Sequence, residues 1–276
     1  MEGDAEFVSA EYVRRRDELA RLAAGSRAEP TDIAYTADED ATWSVAATAL
    51  RTAWEEHAAP EVLVAADRLG LPTDEVPQLA EVTRRLRPLT GFEFRAVPGL
   101  VPVKEFFGSL ARGRFLSTQY VRHHSNPLYT PEPDVIHEVL GHGTLLADDG
   151  LAQLHVMAGA AIERLQTQRA VQFVADVFWF SAEFGVTVDQ HGRPRAYGAG
   201  LLSSMGELQW FAPHADIRPL DLAAMGTLGY DIDHYQPVLF GARSVAEAVD
   251  VVGGFFDVVD NDLVERLLSE ASSEAA

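Results

Sequence analysis

The chain has 276 residues, 47% of them hydrophobic, enough for a sizeable core in one large domain. It contains no cysteine, which excludes disulfides, thiolate metal sites and cysteine nucleophiles together. A net charge of −20 and a pI near 4.7 exclude phosphate backbones and anionic lipid as natural partners, so no nucleic acid or membrane is expected, and a small molecule is. The acidic start, MEGDAEFVSAEY, lacks the basic and apolar parts of a signal peptide, and no later stretch is long and uncharged enough to span a bilayer. A cytoplasmic protein is expected.

Along the chain, Ser9 to Gly25 reads as a helix that stops at glycine. Asp40 to Ala58 places Trp43, Val45, Ala46, Leu50 and Trp54 at helical spacing, and Pro77 to Gly91 is a further amphipathic helix. Phe92 to His123 mixes short β-like pieces with a helix around Glu105 to Ala111. Asn126 to Asp134 is a rigid loop, because each proline fixes its own φ and pushes its predecessor out of the helical region. Leu151 to Phe184 is helical again, and Asp189 to Gly200 is a turn between short strands. The pattern predicts an α+β fold, mostly α-helical with a few small β-strands. One domain is expected over residues 1–276, with flexible ends at about 1–6 and 270–276.

HEVLGH, His137 to His142, carries the chemistry. In zinc peptidases two histidines stand four apart on one helix face with a glutamate between them as base. Here they stand five apart. At about 100° per residue, five steps leave the second side chain roughly 140° past a whole number of turns, so a regular helix would point the pair to different sides. Gly141 is a place where the helix could end or unwind and bring His142 round. A third ligand without cysteine is most often a carboxylate, and the candidate is Glu183, in the apolar run FVADVFWFSAEFGV, where an unpaired charge is expensive to bury. Two histidines and one carboxylate make the facial triad of non-haem Fe(II) oxygenases. Taken alone, Glu183 reads more readily as a salt-bridged or rim glutamate than as a ligand.

TQYVRHHSNPLYTPEPDVIHEVLGH, Thr118 to His142, with FWFSAEFGV, AYGAGLLSSMGELQW and YDIDHYQPVLF, resembles the catalytic domain of the pterin-dependent aromatic amino acid hydroxylases. VPQLAEVTRRLRPLTGF and AVPGLVPVKEFFGSLA extend the resemblance over nearly the whole chain. It implies ring hydroxylation of an aromatic amino acid with O2, Fe(II) and a tetrahydropterin, the iron and pterin together activating O2. His137, His142 and Glu183 match the iron ligands. Arg122 matches the anchor of the substrate carboxylate, a task suited to a planar, always charged guanidinium. Asp134 matches the carboxylate that orients it, and Thr130 and Ser203 match hydroxyls that hold the amino acid backbone. Pro133, Trp179 and Phe184 match the walls around the substrate ring. For the pterin, Phe106 matches the stacking ring, Gly99 and Val101 the backbone contacts of the preceding loop, and Glu138 a glutamate near the pterin. The catalytic set implied is Glu138, Arg122 and Trp179.

Two departures from the family stand out. Phe178 replaces a tyrosine on the pterin side, which puts pterin preference in doubt, and Gly143 and Thr144 replace the usual valine-proline after the second histidine. By resemblance, Trp179 goes with phenylalanine or tyrosine rather than tryptophan, and Ile232 stands where tyrosine hydroxylases carry aspartate. Phenylalanine therefore ranks first, with para-hydroxylation to tyrosine ahead of meta-hydroxylation, and tryptophan after these. A zinc hydrolase is the remote alternative, set apart by its four-residue spacing. The tail NDLVERLLSEASSEAA offers little more than one heptad of apolar positions, so a monomer is expected.

Overall fold

The structure is a computed structural model that describes residues 9–25, 31–130, 132–232 and 234–274. The first helix, α1 (Ala10–Gly25), lies apart from the main core, on a small cluster of Leu19, Ile33 and Tyr120. α2 (Ala37–His57) begins three residues before the stretch expected from apolar spacing. Its start is set by a capping box in which Thr36 and Glu39 each satisfy the other's backbone N–H. α2 buries both of its tryptophans: Trp43 Nε1 donates to Pro72 O at 3.0 Å and Trp54 Nε1 to Leu202 O at 2.9 Å, so each ring keeps a hydrogen bond inside the core.

α3 (Pro60–Leu69) and α4 (Leu79–Thr90) follow, then β1 (Glu93–Ala96), α5 (Val103–Leu110) and β2 (Arg114–Ser117). β1 and β2 pair in parallel, Phe94 opposite Phe115, with α5 as the crossover. The loop from Val97 to Pro102 hangs over the strand ends. α6 (Asp149–Arg164) and α7 (Gln168–Phe178) form the centre of the molecule. β3 (Val186–Val188) and β4 (Pro194–Ala196) make the expected hairpin. α8 (Ala199–Ser203), α9 (Met205–His214), β5 (Asp216–Pro219), α10 (Leu222–Met225) and β6 (Val238–Ala242) come next. The second sheet has the order β4-β3-β6-β5.

α11 (Val245–Val258) and α12 (Asn261–Glu274) close the chain. α12 puts Leu263, Val264 and Leu267 against the chain's own core. It also runs into the stretch expected to be loose, while residues 1–6 and 275–276 lie outside the described residues. No helix among the described residues is long and apolar enough to cross a membrane.

One core cluster runs from Trp43 through Phe173 to Val264. Its tightest crossing is α5 against α6, where a Cβ on Gly159 would meet Ala111 N at 2.3 Å and Phe107 O at 2.4 Å. Because backbone atoms cannot move aside as a side chain can, Gly159→Ala should lower unfolding free energy by about 1–3 kcal/mol in urea titration. Gly254→Ala, in an exposed part of α11 with open space at its Cβ, should raise it by about 0.5–1 kcal/mol.

Candidate metal centre and flanking cavities

The five-residue histidine spacing is accommodated by a π-helical turn, His137–Gly143, inserted in a helix that continues on both sides. Hydrogen bonds from i to i+5 set residues five apart one turn from each other, so both imidazoles face the same way. The helix neither ends nor unwinds at Gly141. Gly141 instead lets α8 approach, since a Cβ there would meet Ala199 O at 2.9 Å. A second π-helical turn, Trp179–Glu183, continues α7 and is closed by the i to i+5 bond from Phe184 N to Trp179 O at 2.9 Å. It carries Glu183 to the histidines.

The ligand atoms of His137, His142 and Glu183 lie within 4.8 Å of one another. His142 Nε2 is 2.9 Å from Glu183 Oε1, and His137 Nε2 is 3.8 Å from Glu183 Oε2. Burial by itself would raise the Glu183 carboxyl, but the imidazoles of His142 and His137 override it and bring it down to about 2. Burial, with His142 nearby, lowers His137 to about 4 against the opposing pull of Glu183, so its ring is neutral at pH 7. The Ser203 hydroxyl donates to Ala199 O at 2.8 Å, and its oxygen therefore receives a proton from His137 Nδ1, also at 2.8 Å. That bond turns the lone pair of His137 Nε2 toward the carboxylate. His142 is held by its neighbours: Phe115 lies 4.5 Å from its ring centroid and His155 5.8 Å. Two imidazoles and an ionised carboxylate, gathered on one side, form a donor set suited to a divalent iron.

Asp134 ties this centre to Arg122. Its Oδ2 accepts from Arg122 N at 2.7 Å and Arg122 Nε at 3.0 Å, and its Oδ1 from Arg122 Nη2 at 2.8 Å and His137 N at 3.0 Å. Both side chains are buried. Arg122 Nη1 is left near Ser203 O, at 3.3 Å.

Two cavities, each of ≈ 370 Å³, flank the triad and share Leu100, Glu132, Pro133, His137 and Glu183. The first is lined by Gly99, Val101, Phe106 and Glu138, with Arg16 and Asp17 of α1 also on its wall. Phe106 is braced edge-on by Phe107 at 5.5 Å and Phe115 at 5.6 Å, which fixes a flat wall fit for a heteroaromatic ring. Burial and the Glu183 charge push the Glu138 carboxyl well above its ordinary value. The second cavity is lined by Arg122, Thr130, Pro133, Trp179, Phe184 and Ser203. Trp179 lies 4.7 Å from Phe184 and stacks on Tyr230 at 4.0 Å, 8° from parallel.

The expected site residues are thus brought together, with two exceptions. Asp134 stands behind Arg122 rather than on a cavity wall. Phe178, the last residue of α7, reaches neither cavity: its ring packs against Phe107 at 5.1 Å and His155 at 5.3 Å. The pterin-side position expected for it is therefore corrected to a place in the core behind Phe107. Tyr235, Gln236 and Glu207 also line the second cavity. All three fall in segments quoted for the resemblance, but nothing in their spacing singles them out.

A family profile described as biopterin-dependent aromatic amino acid hydroxylase matches residues 3–266. The chain belongs to the biopterin-dependent aromatic amino acid hydroxylases. A phenylalanine 3-hydroxylase of Streptomyces coeruleorubidus is 43% identical over 270 residues, 97% of this chain and 96% of that protein. A tyrosine 3-monooxygenase of Bos taurus is 38% identical over 88% of this chain, which spans about half, 51%, of that relative's length. Among solved structures, a phenylalanine hydroxylase of Colwellia psychrerythraea matches with TM-score 0.80 and 28% identity, covering 90% of this chain and 94% of that one. The Chromobacterium violaceum phenylalanine hydroxylase with bound iron(III) and 7,8-dihydrobiopterin matches with TM-score 0.77 and 27% identity, covering 91% and 92%.

Within this hydroxylase fold, truncating Asp134 leaves a buried guanidinium without its counter-charge. Asp134→Ala should therefore cost about 3–5 kcal/mol of unfolding free energy by urea titration. A cost under about 1 kcal/mol would show that the pair does not hold the helix.

Proposed function

We propose that this chain is a non-haem iron, tetrahydropterin-dependent monooxygenase that hydroxylates the ring of L-phenylalanine at the meta position. The observation that carries the regiochemistry is the 43% identity, over nearly the whole of both chains, to a phenylalanine 3-hydroxylase. It reverses the order expected from sequence, which put the para product first. The para reading stays second, favoured by a bovine phenylalanine-4-hydroxylase at 37% identity over 88% of the chain.

In this reading His137, His142 and Glu183 hold the iron, and the first cavity holds the pterin between Phe106 and the loop of Gly99 and Val101. Iron and tetrahydropterin, when bound, supply the reductive activation of O2 that no side chain can provide. The protein's own part is placement. Arg122, with two of its nitrogens committed to Asp134, presents the rest of its fork to the substrate carboxylate. Trp179, Phe184 and Pro133 form an apolar slot beside His137 that holds the ring and excludes water. Phe184 and the stacked Tyr230 hold the Trp179 ring in place. Ile232 offers no acceptor for a phenol, which disfavours tyrosine. Glu138 lines the first cavity, where it can hydrogen-bond the cofactor.

We also read the described residues as one domain acting as a monomer, because α12 uses its apolar face within the chain. A light-scattering mass that holds near twice 30.1 kDa on dilution would sink that reading.

The test is to incubate the protein with Fe(II), tetrahydrobiopterin and each aromatic amino acid, and to separate the ring isomers by chromatography. meta-Tyrosine should dominate from phenylalanine. para-Tyrosine as the main product would restore the second reading, and turnover of tyrosine or tryptophan alone would displace phenylalanine. In the same preparations Glu183→Ala should hold less than about one-tenth of the wild-type iron with its circular dichroism unchanged, since ligands of an open site serve chemistry more than packing. Full iron content there would remove Glu183 from the triad.

A further inference from the structure

The second cavity contains a carboxylate that neither the metal centre nor the arginine anchor uses. Glu207 stands in the first turn of α9 and lines the cavity with Arg122, Thr130 and Ser203. Among the described residues it makes no ion pair; its carboxylate has only the backbone of Gln236 and the Ser204 hydroxyl. The other carboxylates around the cavity are committed. Glu132 is paired with Arg16, Asp134 with Arg122, and Glu183 with the two histidines.

A free α-amino acid brings two charges. Its carboxylate goes to Arg122 on the reading above, and its ammonium sits on the adjacent carbon. Buried without a partner, that ammonium would lose its hydration and gain nothing in return. The two candidate anchors are joined by a single dipeptide: Arg122 Nη1 reaches Ser203 O at 3.3 Å, and the hydroxyl of the next residue, Ser204, bonds the Glu207 carboxylate.

We propose that Glu207 is the ammonium-binding residue of the substrate cavity, so that Arg122 and Glu207 together select a zwitterionic amino acid over the corresponding desamino acid. This rests on the reading of the second cavity as the substrate site. Burial holds the Glu207 carboxyl up at about 7 in the free protein, as befits an acid whose cationic partner arrives with the ligand. A purely local role is the competing account. A glutamate beside the N-cap Ser204 complements the helix end, and its backbone N–H reaches Ser204 Oγ at 3.5 Å. That role would make the residue matter for stability and be indifferent to the ligand's amino group.

The two accounts part in a binding experiment. Titration calorimetry on the purified protein compares L-phenylalanine with 3-phenylpropionate, and likewise tyrosine and tryptophan with their desamino acids. Wild type should prefer the amino acid by on the order of thirtyfold, the scale expected when one partner of a buried charge pair is missing. Glu207→Gln should erase that preference by weakening the amino acid alone, leaving 3-phenylpropionate unchanged. Glu207→Asp, which keeps the charge but shortens its reach, should give an intermediate preference and serves if the glutamine variant does not fold. The inference is overturned if wild type shows no preference for any amino acid, if Glu207→Gln keeps the wild-type ratio, or if it weakens both ligands equally. Preference for tyrosine or tryptophan, with no binding of phenylalanine, would overturn the phenylalanine assignment while upholding Glu207.

Discussion

The site depends first on one buried carboxylate. Asp134 binds the backbone N–H of His137, and so starts the helix that carries both histidines, while its other oxygen holds the backbone and side chain of Arg122. Arg122 and His137, the substrate anchor and a metal ligand on the proposed reading, are therefore positioned by the same group. An isolated buried carboxylate would be costly, and so would an isolated buried guanidinium; each is tolerable because the other is there, with backbone donors completing the set. Rigidity follows from the same fact. Neither partner can swing away without leaving a charge in an apolar interior, so the distance between Arg122 and the His137 corner is fixed before any ligand arrives.

The second constraint is geometric. Three ligands must converge from two helices whose regular periodicity would scatter them. The molecule meets this with two π-helical turns, one for the histidines and one for Glu183. Such a turn has poorer backbone packing than an α-turn and persists where surrounding contacts determine it. Here they do: α8 packs against the bare Gly141, Phe115 and His155 flank His142, and Ser203 fixes His137.

This also explains what could be read in advance. α1, α2 and α4 are legible because apolar residues repeat at helical spacing over three or more turns and end at glycine or a cap. α3 is not, because its ten residues make fewer than three turns, and the β5–β6 pairing is not, because its partners are separated by α10 and a loop and are largely set by tertiary packing. At the site, the metal ligands are visible as residue types, and the histidine spacing shows that a regular helix will not serve. The π-turn that resolves it leaves no residue signature of its own. The resemblance gives Phe178 a place beside the pterin, whereas its ring packs on Phe107 and His155 in the core. Glu207 was hidden for a different reason. A glutamate early in a helix after serine has an ordinary capping explanation, and only the fold places it across from Arg122.

The shared wall between the two cavities ties cofactor and substrate together. Leu100, in the loop between β1 and α5, borders both and is 90% exposed, an unusual state for a leucine at a site otherwise lined by packed aromatics. A ligand in either cavity covers part of that side chain, and burial of an apolar group of this size is worth on the order of 1.5–3 kcal/mol when complete. The loop therefore has one apolar contact to distribute between two occupants. If the first ligand draws Leu100 toward itself, it reshapes the wall that the second must use, and the ring of the substrate meets a slot whose outer edge is set by the cofactor side. On the proposed reading, regiochemistry is a property of the two cavities together, because Leu100, Glu132, Pro133, His137 and Glu183 border both.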